Sequence, residues 1–108
     1  MKLSKLITIV LTVMLVPATF SFAQDAAALY KSKCAVCHGA DGAGDTTMGK
    51  KLGAKSFHSP EVSKMTDAEL FEVTKNGKNK MPSYDKKLTD DQIKELITYI
   101  RSLGKETK

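Results

Sequence analysis

Residues 34–39 of this 108-residue chain read Cys-Ala-Val-Cys-His-Gly, and they decide how the rest of the sequence is interpreted. Cys34 and Cys37 are three positions apart, so at the end of a helix their sulfur atoms emerge on one face of one turn. Two such thiols can each add to one vinyl group of a single porphyrin, and His38 then lies where an imidazole nitrogen can bind the iron. The Cys-x-x-Cys-His string therefore predicts covalent attachment of one haem c.

Three other uses of the cysteine pair fit the sequence less well. A thioredoxin-like redox pair needs a strand leading into the motif, whereas an alanine-rich helical segment precedes Cys34. The ligands available for a structural zinc ion are Cys34, Cys37, His38 and His58. Adjacent Cys37 and His38 would chelate one small ion awkwardly. A disulfide between the cysteines closes a very short loop, which constrains the unfolded chain little.

The first 23 residues have the pattern of an export signal. A positively charged start precedes an apolar run over residues 6–16, and small residues at alternate positions end at Ala23. We expect cleavage after Ala23, which leaves residues 24–108 as one small domain. The alternative is an uncleaved membrane anchor, but Pro17 and several polar residues interrupt the apolar run. A bacterial periplasm fits this signal best, with a thylakoid lumen as the alternative.

The size and charge of the chain limit its classes of partner. A domain of this size without tryptophan buries little apolar surface, and a large buried cofactor would add to its core. The formal charge of +5 falls to +3 if Lys2 and Lys5 leave with the signal. A charge this mild favours neither nucleic acid nor stable membrane insertion. We expect a monomer.

Helical periodicity begins directly before the cysteine motif. A first helix is predicted from Asp25 to about Val36. From Gly39 to Gly53 the chain has five of its seven glycines, so we expect an irregular loop that wraps around something. The residues that share one side of the predicted first helix are Ala26, Leu29, Tyr30, Lys33, Cys34 and Cys37.

Two further helices are predicted from their capping patterns. Thr66 and Glu69 form a capping box, so a helix is predicted over 67–76. The same pattern begins at Thr89, and the helix that follows is predicted to end at Gly104. The predicted architecture is therefore all-α, with three main helices and long loops.

Met81 is the candidate for a second iron ligand. A thioether raises the reduction potential of a haem and leaves no open position, which suits electron transfer. The other mature methionines are Met48 and Met65, whereas Met81 lies in the irregular segment 78–88 and is fixed by Pro82. Methionine usually fills cores, so chemistry alone leaves both interpretations of Met81 open.

In their order along the chain, these features resemble a small monohaem class I c-type cytochrome over nearly the whole mature length. The resemblance implies a small cytochrome c-like fold wrapped around one haem c, with contact between its first and last helices. The site residues that it implies are the thioether-forming Cys34 and Cys37, the proximal ligand His38 and the distal ligand Met81. The matching residues are Cys34 to Gly39, Gly42 to Gly44, Leu52, Phe57, Gly77, Met81 to Tyr84 and Tyr99.

One departure from the resembled family concerns the proximal histidine. Such cytochromes often have a proline after the haem motif whose carbonyl orients the imidazole, but no proline lies between His38 and Pro60. A hydrogen-bond acceptor for the other imidazole nitrogen is still expected. We therefore predict that a backbone carbonyl within residues 43–50 accepts from His38.

The function expected is the transfer of single electrons between redox proteins, and not enzymatic catalysis, because no second catalytic group is evident. If Met81 does not bind the iron, the alternative is a five-coordinate haem that binds a small gas or reacts with peroxide. A dithiol or disulfide protein without haem is the remaining alternative.

Several polar residues lie near the predicted haem. His58 is expected to serve at the surface or as a cap, with haem ligation as the alternative. Tyr84 is expected to bond a propionate or to pack. A group of lysines is a candidate docking face for an acidic redox partner, with simple solvation as the alternative. They are Lys50, Lys51, Lys55, Lys75, Lys78, Lys80, Lys86 and Lys87.

Overall fold

A computed structural model describes residues 22–106, and the structural statements below concern this part of the chain. Its regular structure is helical, and no strand forms between residues 22 and 106 apart from one isolated bridge between Lys78 and Met81. The predicted all-α class is therefore confirmed. The helices are α1 (Phe22–Lys33), α2 (Ala35–His38), α3 (Thr47–Leu52), α4 (Pro60–Ser63), α5 (Asp67–Asn76) and α6 (Asp90–Lys105).

Most of the predicted export signal, residues 1–21, lies outside the described residues. Helix α1 begins at Phe22, and cleavage after Ala23 stays a prediction. Among the helices described, none has the length and apolar character needed to cross a membrane.

The two capping boxes form as predicted. Thr66 Oγ1 accepts from the Glu69 backbone N–H at 3.1 Å, and the Glu69 carboxylate accepts from the Thr66 N–H at 2.8 Å. Thr89 and Gln92 make the same reciprocal pair at the start of α6. Each box satisfies backbone donors that the first turn of a helix leaves without partners. Helix α5 therefore has the predicted bounds.

Helices α1 and α6 pack against each other and form the centre of the core. Tyr30 is 1% exposed, and Ile93 and Leu96 are fully buried. The rings of Tyr30 and Tyr99 lie 5.2 Å apart between their centroids, which joins the two helices. The contact between first and last helices that the resemblance implied is confirmed. The buried core residues are Tyr30, Phe57, Val62, Leu70, Leu88, Ile93, Leu96, Ile97, Ile100 and Leu103.

The first helix differs from its prediction because it is interrupted at Cys34. Helix α1 ends at Lys33, and Cys34 has a φ of −116°, well away from the helical value. Helix α2 then continues from Ala35 to His38. The cysteine motif therefore forms a separate short turn after α1.

The prediction of no regular element between Gly39 and Gly53 is wrong for residues 47–52, which form α3. Thr46 caps this helix, because its Oγ1 accepts from the Gly49 N–H at 2.9 Å. Gly49 is needed for close packing, since a Cβ there would overlap the carbonyl oxygen of Cys37. Glycine at position 49 allows two backbones to pack closely, and it does not prevent a helix from forming there.

The prediction that Gly104 ends the last helix is also wrong, because α6 continues to Lys105. Gly104 does not have the positive φ of a glycine that ends a helix. A Cβ on it would lie 2.7 Å from the carbonyl oxygen of Phe57. Its role is to let the loop that contains Phe57 pack directly on α6.

Candidate haem-binding site

Cys34 to His38 form a single turn, which we call the attachment turn. The backbone N–H groups of Cys37 and His38 both donate to the Cys34 carbonyl, at 3.2 and 3.0 Å. No disulfide joins the two cysteines, and both are partly buried. This turn brings together three of the four predicted site residues.

The surroundings of Cys34 disfavour its thiolate form. Burial raises the pKa of its thiol to about 11, while the Lys33 ammonium opposes the rise and Cys37 adds to it. A thiol with this pKa is protonated at neutral pH, whereas an attacking cysteine needs a lowered pKa. Burial therefore makes Cys34 a poor attacking thiol.

The imidazole of His38 is held in the form that binds iron. Its Nδ1 lies 3.0 Å from the carbonyl oxygen of Lys55. A carbonyl can only accept, so Nδ1 carries the proton and Nε2 has the lone pair. Burial lowers the pKa of His38, with the Lys55 hydrogen bond opposing it, and this favours the neutral ring. The attachment turn thus offers the donor set that a covalent haem requires.

The predicted location of the His38 acceptor within residues 43–50 is wrong, because the acceptor is Lys55. Helix α3 accounts for the difference. It ends at Gly53, whose left-handed conformation turns the chain back toward the attachment turn. A Cβ on Gly44 would lie 2.8 Å from the Ala54 carbonyl oxygen, so the returning chain packs closely on the loop after His38.

Hydrogen bonds from two hydroxyl groups brace the attachment turn. Thr46 Oγ1 lies 2.8 Å from the Val36 carbonyl oxygen and 3.0 Å from that of Cys37, so it can donate to either. The buried Tyr30 hydroxyl donates to the Gly39 carbonyl at 2.6 Å. Bonds to backbone carbonyls hold the position of the turn whatever its side chains bind.

The segment around Met81 is a tight turn supported by α5. Lys78 and Met81 exchange both backbone hydrogen bonds, at 3.1 and 2.9 Å. Gly77 lies so close to this turn that a Cβ on it would be 2.7 Å from the Met81 carbonyl oxygen. Downstream, the carbonyl of Lys75 accepts from the Ser83 hydroxyl at 2.6 Å. The backbone of Met81 is therefore fixed, and its side chain is half-buried.

Tyr84 links the Met81 segment to the attachment turn. Its hydroxyl donates to the Lys33 carbonyl at 3.0 Å, directly before Cys34. Burial raises the pKa of Tyr84, and the nearby thiols of Cys34 and Cys37 add to the rise. The expectation that Tyr84 packs therefore agrees with the structure, which also gives its hydroxyl a backbone partner.

His58 is engaged away from the cysteines. Its Nε2 lies 2.8 Å from the Asp41 carbonyl oxygen, so the ring ties two loops together. Within the described part of the chain, no three His, Cys, Asp or Glu side chains gather as a metal-binding group.

Comparison with known proteins shows the family of the chain. Residues 21–100 match the family described as cytochrome c oxidase, cbb3-type, subunit III. The chain is 33% identical over 95 residues to cytochrome c6 of Thermosynechococcus vestitus, which covers 87% of this chain and 82% of that protein. It is 32% identical over 84 residues to the cbb3-type cytochrome c oxidase subunit CcoP of Azospirillum brasilense. That match covers 76% of this chain but only 28% of the relative.

A solved structure has the same fold. The KustC0563 c-type cytochrome superposes with a TM-score of 0.68 at 33% identity, over 74% of this chain and 98% of that chain. Fold and site together define a class, the small monohaem c-type cytochromes. The chain belongs to the family of cytochrome domains described as cbb3-type cytochrome c oxidase subunit III. It is an electron carrier with one covalently bound haem c.

Three residues around His38 have roles at the site that the sequence did not predict. Lys55 acts through its carbonyl, which every residue has, so no side-chain signal could have identified it. Thr46 was detectable as a helix cap three residues before Gly49, but not as a brace of the attachment turn. Phe57 is one of the residues that carry the family resemblance, which assigns it no role, and the structure places its ring against His38.

Proposed function

We propose that Cys34 and Cys37 hold the haem through thioether bonds. His38 and Met81 then fill the two axial positions of the iron. The observation that carries this proposal is the hydrogen bond between His38 Nδ1 and the Lys55 carbonyl. It presents the Nε2 lone pair of a neutral imidazole on the same turn as both thiols.

Met81 is supported as the distal ligand by its backbone contacts. Its turn is fixed at Gly77, and Tyr84 ties the segment to Lys33 beside the first cysteine. Met48 is 44% exposed on α3, and Met65 packs against the core. The described chain has three methionines. Met81 lies in a segment that is distant from the attachment turn in sequence, and the Tyr84 hydrogen bond to Lys33 connects this segment to the start of that turn.

A haem with both axial positions filled supplies a one-electron ferrous–ferric couple and leaves no position for a substrate. The chain's own residues maintain this state. Lys55 holds the Nδ1 proton of His38, and Tyr84 holds the Met81 segment in place. We therefore propose a carrier that is not an enzyme.

We further propose that residues 1–23 are a cleaved export signal and that residues 24–108 work as a monomer. The charged start, the apolar run and the small residues before Gln24 support the export signal. The compartment proposed is a bacterial periplasm, with a thylakoid lumen as the alternative.

Haem staining after denaturing electrophoresis tests both the attachment and the export, because thioether bonds survive denaturation. In a bacterium that matures c-type cytochromes, we expect one stained band, in the periplasmic fraction, at the mass of residues 24–108 with one haem. The double variant Cys34→Ala/Cys37→Ala is expected to lose the stain completely. Ser32→Ala, an exposed change on α1, is the control and should keep it.

The possible outcomes separate the two proposals. A stained double variant, or an unstained parent chain, would contradict attachment at the two cysteines. A stained band that stays in the membrane fraction at the full-length mass would contradict signal cleavage but leave the attachment in place.

We propose that a lysine-rich face guides the docking of an acidic redox partner. Two lysines of the predicted docking face already form salt bridges within the protein. Lys75 pairs with Asp90 at 3.0 Å and with Asp85 at 3.8 Å, and Lys55 pairs with Glu61 at 3.4 Å. The remaining members are exposed, and they are Lys50, Lys51, Lys78, Lys80, Lys86 and Lys87.

Two observations support the proposal that this face borders the attachment turn. Lys87 Nζ lies 5.7 Å from the centre of the Tyr84 ring, and the Tyr84 hydroxyl donates to the Lys33 carbonyl directly before Cys34. Helix α3, which has Lys50 and Lys51, packs on α2. Positive charge around the point of electron exit accelerates encounters with negative partners.

Small redox reagents of opposite charge test this face. We expect Lys78→Glu/Lys80→Glu to slow oxidation by anionic ferricyanide several-fold at low salt and to speed oxidation by a cationic cobalt complex. The difference should shrink at high ionic strength. Lys94→Glu/Lys105→Glu, an equal charge change at exposed positions of α6, is the control. Equal effects of the two double variants would show that only net charge matters.

A further inference from the structure

The phenyl ring of Phe57 lies against the imidazole of His38. The ring centroids are 4.6 Å apart and the planes differ by 21°, so the two rings are stacked. Phe57 is 8% exposed and belongs to the core cluster. The function proposed above uses both nitrogens of the imidazole but assigns no role to the ring that covers its face.

Phe57 is itself held by backbone on several sides. Its N–H donates to the Gly42 carbonyl at 2.8 Å, and a Cβ on Gly42 would lie 2.6 Å from the phenyl ring. A Cβ on Gly104 would lie 2.7 Å from the Phe57 carbonyl oxygen. The Tyr30 ring approaches at a tilt, with 6.2 Å between centroids. Phe57 therefore cannot turn aside without displacing α6 or the loop at Gly42.

Two restraints of different kinds thus act on the His38 imidazole. The Lys55 carbonyl fixes the direction of Nδ1 within the plane of the ring. The Phe57 face opposes rotation of that plane about the bond between Cβ and Cγ. The apolar ring also shields this side of the imidazole, which favours the protein acceptor over water.

We propose that Phe57 is a positioning residue that sets the plane of the His38 imidazole relative to the haem. The inference rests on the proposed ligation by His38. Partners of a metal ligand fix its orientation and tune the metal. The plane of an axial imidazole determines which iron d orbital it overlaps, and so the distribution of unpaired electron density in the ferric protein. Loss of the stack should therefore change the magnetic spectra even where the fold survives.

Electron paramagnetic resonance and proton NMR of the ferric holoprotein test this role. We expect Phe57→Leu, which keeps apolar volume but removes the planar face, to shift the largest g value, the haem-methyl resonances and the reduction potential. Phe57→Tyr keeps the planar face and should stay close to the parent spectrum. Phe71→Leu is the matched control, because Phe71 packs against the same core from α5. Its spectra should remain those of the parent chain.

The outcomes distinguish this inference from the proposed ligation. A parent protein without a low-spin ferric haem signal would overturn the proposed six-coordinate ligation by His38 and Met81, and not the positioning role of Phe57. A parent protein with that signal, left unchanged by Phe57→Leu, would overturn the positioning role. So would a Phe57→Tyr variant that shifts the signals as far as Phe57→Leu does.

A second variant keeps the test decisive if Phe57→Leu does not fold. Gly104→Ala places a methyl group against the Phe57 carbonyl oxygen and leaves both stacked rings chemically intact. We expect it to shift the same g value and the same haem-methyl resonances. Unchanged signals in a folded Gly104→Ala protein would contradict the proposal.

Discussion

Replacing Met81 by alanine is expected to open the iron to external ligands and to lower the reduction potential. Removal of the thioether leaves one axial position without a protein ligand, so the ferrous variant should bind carbon monoxide and the parent chain should not. Methionine ligation raises the potential of c-type haem. We expect a fall on the order of 100 mV, because axial ligands set haem potentials over about 0.8 V. Carbon monoxide titration and redox potentiometry measure the two effects.

The other methionines provide matched controls for this experiment. Met48→Ala changes an exposed side chain on α3, and Met65→Ala changes one that packs against the core. Both should keep the parent potential and exclude carbon monoxide. Binding of carbon monoxide by the parent chain would favour the five-coordinate alternative, a gas-binding or peroxide-reactive haem. An open site in Met65→Ala would move the assignment to Met65.

Gly49→Ala is expected to destabilise the protein by at least about 3 kcal/mol, at the upper end of overpacking costs. A methyl group on Gly49 would overlap the Cys37 carbonyl oxygen and lie 2.8 Å from that of Gly44. Both obstacles are backbone atoms, so relief requires α3 to move off the attachment turn. Within a helix, alanine is more favourable than glycine by about 1 kcal/mol. Helix propensity alone would therefore make Gly49→Ala stabilising, so the expected loss of stability comes from packing. Denaturant unfolding of the holoprotein and the yield of attached haem are the measurements.

Gly53→Ala separates the packing effect from the general cost of replacing a glycine. Gly53 follows the same helix with a φ of 72°, and no atom beyond its chain neighbours lies within 4 Å of the position its Cβ would take. Only conformational strain of roughly 1–2 kcal/mol is expected there. Haem attachment should remain normal. Equal losses in the two variants would contradict the close packing of α3 on the attachment turn.

The features that were predictable from the sequence are those that depend on nearby residues. The Thr66 and Thr89 capping boxes each join groups three residues apart, and both appear in the structure. The Cys34 to His38 motif is also local, since one turn positions its three side chains. For such features a short stretch of sequence contains all the interacting groups.

The features that could not be predicted depend on contacts between distant backbones. Gly49 and Gly104 resemble helix breakers in the sequence, yet both lie within helices because another chain segment approaches them. The Lys55 carbonyl reaches His38 only because α3 forms and Gly53 reverses the chain. The interruption at Cys34 likewise has no local signal. A backbone carbonyl accepts a hydrogen bond whatever side chain its residue has. No pattern of residue types therefore predicts which carbonyl reaches His38 or which backbones pack together.

Proton NMR of the ferrous holoprotein tests the central claim, a haem whose iron is bound by both His38 and Met81, most directly. The ring current of the porphyrin shifts the methyl group of an axial methionine far upfield of all other protein methyl groups. We predict one such three-proton resonance in the parent chain and in Met48→Ala, and its loss in Met81→Ala. Absence of the resonance from the parent chain, or its persistence in Met81→Ala, would contradict the account.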